Sequence, residues 1–398
     1  MNASSRYYLS GSAALKWLES PCLYDIREDE LYELDEEGLA FIKECSGTGG
    51  GDPRKADKAF AEYCISEGLL TLMKIDVRRP PVLRSQVPSL RYLELQITDR
   101  CNLRCRHCYL GPPLNRELSI LELKSILDEF ETMQGLRLLI TGGEPLMHGR
   151  FSEMNELLPG YAFRKILFTN GVLLNRELIK SLNVDELQFS IDGMERGHEA
   201  IRGKGTYRHV MDALKSALDA GMAVSVATMV HSENLSEFGE METLFLSLGI
   251  GDWTVDVPCR EGNMKNNGAF CVPPDTGGQL LKYGYGKGLH GSGEGFGCGL
   301  HLAAVLANGD ICKCAFYAVS PAGHIRDGLA AAWTRIKPVN LSELECADFS
   351  CPELNECRGG CRYRASMLEK SGKGPGAGTG LYGVGRDFYK CFYYGIMK

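Results

Sequence analysis

Between residues 90 and 258 the sequence alternates short apolar runs with longer segments of helical periodicity, and this alternation constrains the fold more than any other feature. Such runs, bounded by glycine and turn residues, predict strands, and repeated strand–helix units predict a parallel sheet covered by helices. The predicted strands are 92–98, 136–140, 165–168, 186–191, 223–229 and 252–257. Six units are too few for a closed eight-stranded barrel. We therefore expect an α/β fold built on a partial (β/α)6 TIM-like barrel over 90–258.

Helices are predicted between these strands. Ser119 and Glu122 form a capping-box pattern at the start of the first helix. Further helices are predicted near 152–158, 176–182, 207–220 and 235–248. In barrels of parallel strands the chemistry lies at the carboxyl ends of the strands. Four polar or cysteine-containing loops follow the first four strands, at 101–108, 142–145, 169–171 and 190–193.

The loop after the first strand carries Cys101, Cys105 and Cys108 at C-x3-C-x2-C spacing. Thiolates this close in sequence can hold an iron–sulfur cluster on one loop. Three ligands leave one iron of a four-iron cluster open, and an open metal position indicates a reactive centre. A structural zinc knuckle is the alternative, but it needs a fourth ligand at short range. His107 would serve awkwardly, because it is adjacent to Cys108.

The chain has 398 residues, a net charge of −7 and 16 cysteines. The acidic balance argues against a nucleic-acid partner. A secreted disulfide scaffold would be shorter and would carry a signal peptide, and no apolar segment follows the first residues. No run of about 18 apolar residues predicts a membrane span. We expect a protein of the reducing cytoplasm whose cysteines bind metal, with no membrane partner.

Residues 1–76 predict a small α+β, winged-helix-like module. Strands at 23–26 and 30–34 form a hairpin, Asp35 caps a helix over 36–44, and a second helix over 53–66 ends at Gly68. A further strand is predicted at 69–73. The module could accept an extended peptide at a sheet edge, could be an extension packed on the main domain, or could bind DNA, which its acidic character disfavours. Residues 77–89 are proline-containing and predict a linker.

Beyond residue 258 the strand–helix pattern stops. Residues 259–297 are glycine-rich and predict a bridging segment that carries the isolated Cys259 and Cys271. Residues 298–398 contain a second set of cysteines, for which structural zinc sites are the alternative to clusters. The set consists of Cys298, Cys312, Cys314, Cys346, Cys351, Cys357, Cys361 and Cys391.

The three-cysteine loop, followed one unit later by Gly142-Gly143-Glu144-Pro145, resembles the radical S-adenosylmethionine (SAM) superfamily. The resemblance covers about 170 residues. It implies a [4Fe–4S] cluster on Cys101, Cys105 and Cys108, with SAM at the open iron. It also implies reductive cleavage of SAM to a 5′-deoxyadenosyl radical, which abstracts a hydrogen atom from the substrate.

The resemblance also implies roles for residues that would contact SAM. Gly142 and Gly143 would let the backbone approach the methionine moiety, and Glu144 would accept from its ammonium group. The other cofactor-binding candidates are Ser190 and Asp192 at the end of the fourth strand, Arg202 for the carboxylate, and His107 near adenine. Alternatively, Ser190 and Arg202 are ordinary polar residues and His107 lies at the surface.

The second cysteine set resembles the SPASM extension of this superfamily, a domain with two auxiliary [4Fe–4S] clusters. The resemblance implies one cluster on Cys298, Cys314 and Cys361. It implies another on Cys346, Cys351, Cys357 and Cys391. Here the spacing between Cys346 and Cys351 is x4 where the family usually has x2. The sequence leaves the identity of the fourth ligand of the first cluster undecided. The candidates are Cys312, Cys271, Cys259, a non-cysteine ligand, solvent and substrate.

Two classes of function follow. The first is an oxidoreductase-type maturase of a ribosomally made peptide or protein, since residues 1–76 resemble a PqqD-like peptide-recognition module. Its product would carry a crosslink, a thioether, an epimerised centre or an oxidised side chain. The second is a small-molecule cofactor maturase in haem or metal-cofactor biosynthesis. Either needs a small electron donor such as flavodoxin or ferredoxin. A protein that only transfers electrons would have no use for residues 142–144. The sequence also indicates no general base.

Overall fold

The computed structural model describes residues 6–288, 293–370 and 383–397. The chain begins with two small antiparallel sheets and two helices, and strands β2, β3 and β4 pair in that order while β1 pairs with β5. Their bounds are β1 Tyr8–Leu9, β2 Ala13–Trp17, β3 Pro21–Asp25, β4 Glu30–Glu33, α1 Glu36–Ser46, α2 Lys58–Ser66 and β5 Leu70–Thr71. The predicted hairpin is therefore present as β3 and β4, and β1 and β2 were not predicted.

Side-chain caps define the two N-terminal helices. Asp35 accepts a hydrogen bond of 2.8 Å from the backbone N–H of Gly38, as predicted for α1. The single helix predicted over 53–66 is wrong in its first part, because a short 3-10 turn at Pro53–Lys55 precedes α2. Asp57 caps α2 instead, accepting from Phe60 N at 2.8 Å. A cap of this kind satisfies a backbone donor that has no partner within the helix.

Six parallel strands follow, with helices between them, as the alternation predicted. The elements are β6 Tyr92–Gln96, α3 Ile120–Thr132, β7 Arg137–Thr141, α4 Phe151–Leu157, β8 Arg164–Thr169, α5 Arg176–Ser181, β9 Glu186–Ser190, α6 Glu195–Arg202, α7 Thr206–Asp219, β10 Ala223–Met229, α8 Phe238–Ser247 and β11 Trp253–Asp256. Each strand pairs in parallel with the next. The capping box of Ser119 and Glu122 is formed at the start of α3. Helix α6 was not predicted.

The C-terminal region continues the same sheet. Its elements are α9 Pro274–Leu280, β12 Leu302–Val305, β13 Asp310–Cys312, β14 Gly323–His324, α10 Leu329–Trp333, α11 Glu345–Asp348, α12 Leu354–Cys357, α13 Arg362–Lys370 and α14 Phe388–Tyr393. Strand β12 lies parallel to β6, so the described part of the main sheet has nine strands in the order β11-β10-β9-β8-β7-β6-β12-β13-β14. The C-terminal region is thus joined directly to the strand that precedes the three-cysteine loop.

The main core lies between the sheet and its helices. Apolar residues of the strands, such as Leu138 and Phe189, pack against the inner faces of helices, where Leu127 and Phe130 of α3 are fully buried. This is the arrangement in which a parallel sheet buries both faces. Across the described ranges, no helix combines the length and the apolar character needed to cross a membrane.

The N-terminal region packs against the amino ends of the barrel strands. Lys16 is buried and donates to the carbonyl of Gly135 at 2.9 Å, just before β7. Arg164, the first residue of β8, donates to Ile26 O at 2.8 Å. Asp29 forms a buried ion pair with Arg137, the first residue of β7. The N-terminal region therefore lies at the end of the strands opposite to the three-cysteine loop. Residues 77–89 connect it to the barrel without helix or strand.

Candidate active site

A cavity of about 430 Å³ lies at the carboxyl ends of the barrel strands. Cys101, Cys105 and Cys108 line it from the loop after β6. The structure brings all the other residues predicted to contact SAM to the same cavity. These are His107, Gly142, Gly143, Glu144, Ser190, Asp192 and Arg202. Residues that lie far apart in sequence therefore share one site because parallel strands end at one edge.

Backbone hydrogen bonds shape the three-cysteine loop. The N–H of Cys108 donates to Cys105 O at 3.2 Å, and the N–H of Leu103 donates to the sulfur of Cys101 at 3.4 Å. The N–H of Arg106 donates to Ile201 O at 2.8 Å, which ties the loop to α6. The loop is thus held from both sides of the cavity mouth.

Burial opposes the ionised form of two thiols of this loop. It raises the pKa of Cys101 and raises that of Cys105 to about 11, and the nearby Arg202 offsets burial only in part. A bound metal cluster would add positive charge beside the thiolates. Among the residues that the structure describes, no three His, Cys, Asp or Glu side chains are gathered closely enough to hold one metal ion. The three thiols share one short loop in the wall of the cavity, and a donor set of this kind fits an iron–sulfur cluster.

Gly142 and Gly143 are required by a close approach of two loops. A Cβ on Gly142 would lie 2.4 Å from Thr98 O, and a Cβ on Gly143 would lie 2.4 Å from Arg100 O. The N–H of Gly143 donates to Thr98 O at 2.8 Å. The two glycines therefore hold the loop after β7 against the backbone directly before Cys101, a reason that the sequence did not indicate.

Glu144 is a buried carboxylate in the wall of the cavity. It accepts from Asn170 N at 2.8 Å, from Thr169 Oγ1 at 3.0 Å and from Leu146 N at 3.3 Å. Burial nevertheless raises its pKa to about 7, because these neutral donors only partly replace water. A cation bound in the cavity would restore the charged form.

Asp192 lies between two other predicted site residues. Its Oδ2 accepts from Arg202 Nε at 2.5 Å and lies 3.4 Å from His107 Nε2, and its Oδ1 accepts from Met229 N at 2.7 Å. Burial alone would raise the pKa of Asp192, but Arg202 and His107 more than offset burial and lower it. Asp192 therefore positions Arg202 and His107, and its contact with SAM stays a prediction.

His107 is buried, not at the surface. Burial lowers its pKa to about 4, so the ring is neutral at pH 7. Its Nδ1 is buried without a hydrogen-bond partner. The ring lines the cavity, and the neighbouring Arg202 Nη2 lies 3.5 Å from Nε2. A buried unpaired ring nitrogen in a cavity wall fits contact with a ligand that can donate to it.

The cysteines of the C-terminal region separate into two groups. Burial raises the pKa of Cys314, and Cys298 and Cys361 raise it further, which places these three thiols together. In the second group, burial raises the pKa of Cys391 to about 11, and its neighbours Cys346 and Cys357 raise it further. Cys351 has the same effect on Cys346. Thiols within each ligand set that the resemblance implied thus influence one another, and the two auxiliary clusters stay a prediction.

Two residues at the site were missed by sequence reasoning. Glu94 of β6 points into the cavity, its carboxylate 3.5 Å from the hydroxyl of Tyr109, and burial raises its pKa to about 7. Asn170 places its amide nitrogen 3.9 Å from the sulfur of Cys101. The signal for Glu94 was the polar pair Glu94 and Gln96 at alternate positions of an otherwise apolar strand.

Comparisons with known proteins agree with this geometry. The family model of the radical SAM superfamily matches residues 95–245. The AdoMet-dependent heme synthase of Oleidesulfovibrio alaskensis is 28% identical over 214 residues, which are 52% of this chain and 55% of that protein. The mycofactocin maturase MftC of Mycolicibacterium smegmatis is 31% identical over 164 residues, 39% of this chain and 42% of that protein. The chain thus spans about half the length of the curated relatives it matches.

Among solved structures, the chain is similar to Streptococcus suis SuiB bound to precursor peptide SuiA. The TM-score is 0.65 at 15% identity, and the match covers 91% of this chain and 97% of that chain. Similarity at this level of identity concerns the fold. It extends beyond the barrel to the N-terminal and C-terminal regions.

We expect Gly143→Ala to remove the cluster of the three-cysteine loop, because its Cβ would meet the backbone of Arg100 and displace Cys101. Iron content after anaerobic reconstitution should fall from about 12 to about 8 per chain, since the C-terminal cysteine groups are untouched. Gly160→Ala is the matched control, because nothing lies within 4 Å of a Cβ there. Iron content equal to that of the unmodified chain in Gly143→Ala would contradict this account of the loop contact.

Proposed function

Residues 95–245 belong to the radical SAM superfamily, and on that premise we propose that the protein modifies a ribosomally made peptide or protein. The observation that carries the proposal is the convergence of the three-cysteine loop and the buried Glu144 on one cavity. When bound there, SAM and a [4Fe–4S] cluster supply a 5′-deoxyadenosyl radical able to abstract a hydrogen atom.

The chain's own residues would bind and orient SAM. Glu144 would accept from the ammonium group, and Arg202, fixed by Asp192, would pair with the carboxylate. The neutral ring of His107 would lie against adenine, and Ser190 at the end of β9 would meet the ribose. In this proposal Gly142 and Gly143 hold the two loops together rather than contacting the ligand.

A peptide substrate is supported by the form of the N-terminal region. Strand β4 pairs with β3 on one side and with no strand on the other among the described residues. Because Leu34 N donates to Pro21 O in the ladder, the backbone groups of Leu31 and Glu33 point to the open side. Such an edge can accept an extended segment by strand addition. We keep the prediction of a peptide-recognition module for residues 1–76.

The position of this edge sets a condition on the substrate. The N-terminal region lies at the amino ends of the strands and the cavity at their carboxyl ends. A strand of five residues such as β7 spans about 17 Å. The recognised segment and the modified residue must therefore be separated by at least about five extended residues.

A small-molecule cofactor maturase is the second candidate, and the similarity to an AdoMet-dependent heme synthase favours it. Cavity size favours the first candidate. The volume of about 430 Å³ lies in the lower part of the range for small-molecule sites. SAM would take much of that volume, and a peptide needs to insert only the reacting side chain. A macrocycle would need far more room.

Oxidation of the substrate would release a hydrogen atom, one electron and one proton. SAM bound in the cavity would supply the group that takes the hydrogen atom, and auxiliary clusters held by the C-terminal cysteines would accept the electron. Glu94 is placed to accept the proton, since its carboxylate faces the cavity and its pKa is about 7. We further propose that a flavodoxin or ferredoxin supplies the electron that cleaves SAM.

The function is tested with the full reconstituted chain, SAM and a strong reductant. We expect peptides encoded near this gene to change in mass together with formation of 5′-deoxyadenosine, measured by mass spectrometry. Product formed only from a tetrapyrrole would favour the second candidate. Absence of 5′-deoxyadenosine under every condition would contradict the radical SAM reaction itself.

We expect the affinity for SAM to fall as the pH is lowered through about 7, because the Glu144 carboxyl becomes protonated there in the free enzyme. Each pH unit below that value should weaken binding by up to about tenfold. Glu144→Gln should raise Kd by roughly 10- to 100-fold, the value of a lost charged hydrogen bond, and should remove the pH dependence. Calorimetric titration measures both effects.

The matched control for this test is Glu153→Gln, an exposed carboxylate on α4 paired with Arg150. It should leave both the affinity and its pH dependence unchanged. A Glu144→Gln variant that binds SAM as tightly as the unmodified chain would show that another group receives the ammonium.

We expect Glu94→Gln to separate cleavage of SAM from product formation. Formation of 5′-deoxyadenosine without peptide should stay within about twofold of the unmodified chain, because Glu94 lies outside the residues proposed to hold SAM. Peptide product should fall by roughly 10²- to 10⁴-fold, as for loss of a general base. Liquid chromatography of both products gives the ratio, and equal product yields would exclude Glu94 as the proton acceptor.

A further inference from the structure

The first group of C-terminal cysteines is joined by a cysteine from the barrel. Cys259 lies three residues after the end of β11, is 6% exposed and lines the cavity together with Cys361. Cys259 and Cys361 are neighbours, since each thiol affects the pKa of the other. The segments that carry Cys298 and Cys314 lie beside Cys361. A Cβ on Gly297 would lie 2.6 Å from Arg358 O, and the ring of Phe316 stacks on that of Tyr363. Four thiols, of which Cys259 is buried and the others are half-buried, are thus gathered in one region.

A buried ion-pair network holds this meeting point. Arg364, on the first turn of α13, donates to Asp256 Oδ1 at 2.7 Å, at the end of β11. The same guanidinium donates to Asp387 at 2.7 and 3.0 Å, and Asp387 accepts from the backbone N–H of Cys361 at 2.9 Å. Arg364 is three residues after Cys361 and Asp256 is three residues before Cys259. The network therefore fixes the two thiols beside each other independently of any metal.

Cys312 is in a different environment. It lies in β13, paired with Ala304 of β12, and is fully buried in an apolar cluster with Leu306 and Tyr317. Burial raises the pKa of its thiol to about 12, with Asp310 and Glu94 as the charged neighbours and no cysteine among them. Cys312 is thus a core residue of the sheet and a suitable control.

We propose that Cys259 is the fourth protein ligand of the auxiliary cluster held by Cys298, Cys314 and Cys361. The inference rests on the proposed iron–sulfur function. Four thiolates complete the coordination of a four-iron cluster. This cluster then has no open iron for a substrate thiolate, so it carries electrons and does not anchor the substrate. It also connects the C-terminal region to the end of a barrel strand, close to the three-cysteine loop, where Asn263 N donates to Cys108 O at 2.8 Å.

The test uses the full chain with Cys101, Cys105 and Cys108 replaced by alanine, so that only the auxiliary clusters remain. This background should hold about 8 iron atoms per chain. We expect added Cys259→Ala to lose about one iron atom per chain and to give the electron paramagnetic resonance signal of a three-iron cluster on oxidation. Added Cys312→Ala should keep the iron content and spectrum of the background.

A second variant decides the matter if Cys259→Ala does not fold. Cys259→Ser keeps the size of the side chain and offers an oxygen ligand. The cluster held by Cys298, Cys314 and Cys361 should therefore keep its four iron atoms but change its reduction potential. Cys312→Ser should leave both the iron content and the potential unchanged. Unchanged iron content, spectrum and potential in the Cys259 variants would overturn the proposal.

Failure of this inference is distinguishable from failure of the proposed function. A background variant that binds no iron would overturn the auxiliary cluster and the Cys259 assignment together. Cleavage of SAM, measured as 5′-deoxyadenosine in a chain that keeps Cys101, Cys105 and Cys108, tests the radical reaction separately.

Discussion

The site depends on the backbone contact between the loops that follow β6 and β7. Two glycines bring the second loop within hydrogen-bond distance of the residues directly before Cys101, where Gly143 N donates to Thr98 O and Glu144 N donates to Arg100 O, both at 2.8 Å. This contact fixes the position of the first cysteine and of the Glu144 carboxylate at once. In the proposed function, the loop that would bind the cluster and the carboxylate that would receive the ammonium group are thereby held in one fixed relation, which is the preorganisation that a catalytic site needs.

Three carboxylates at the cavity have different hydrogen-bond partners and therefore different pKa values. Asp192 is paired with Arg202, which lowers its pKa, and it acts as a support for side chains around it. Glu144 and Glu94 have only neutral donors, so burial raises the pKa of each to about 7. In the proposed function, acidic side chains would thus serve as a structural anion, a cation receptor and a proton acceptor according to their surroundings.

In the proposed function, substrate recognition and chemistry are separated along the strand direction. The N-terminal region is fixed to the amino ends of the strands by buried polar contacts, including Lys16 with Gly135 and Asp29 with Arg137. Breaking such contacts leaves buried charge without a partner, which is costly. The C-terminal region is held from the other direction by Arg364, which bridges Asp256 and Asp387. The barrel is therefore clamped at both ends.

The sequence by itself determined the six parallel strands, the capped helices and the residues that surround the cavity. Hydrophobic periodicity indicates which face of a helix or strand is buried, and motif spacing indicates which residues of one loop can bind a metal. Both are local signals. The sequence did not indicate β1 and β2, which are short, or α6, whose eight residues carry few apolar side chains.

Only the tertiary structure decided how distant residues meet. It showed that the glycines contact a neighbouring loop, that Asp192 supports Arg202, that Glu94 faces the cavity and that Cys259 lies against Cys361. Each of these contacts depends on the order of the strands and on the path of the loops. No local sequence pattern encodes either. Cys259 and Cys361 are far apart along the chain, and a buried ion-pair network brings them together.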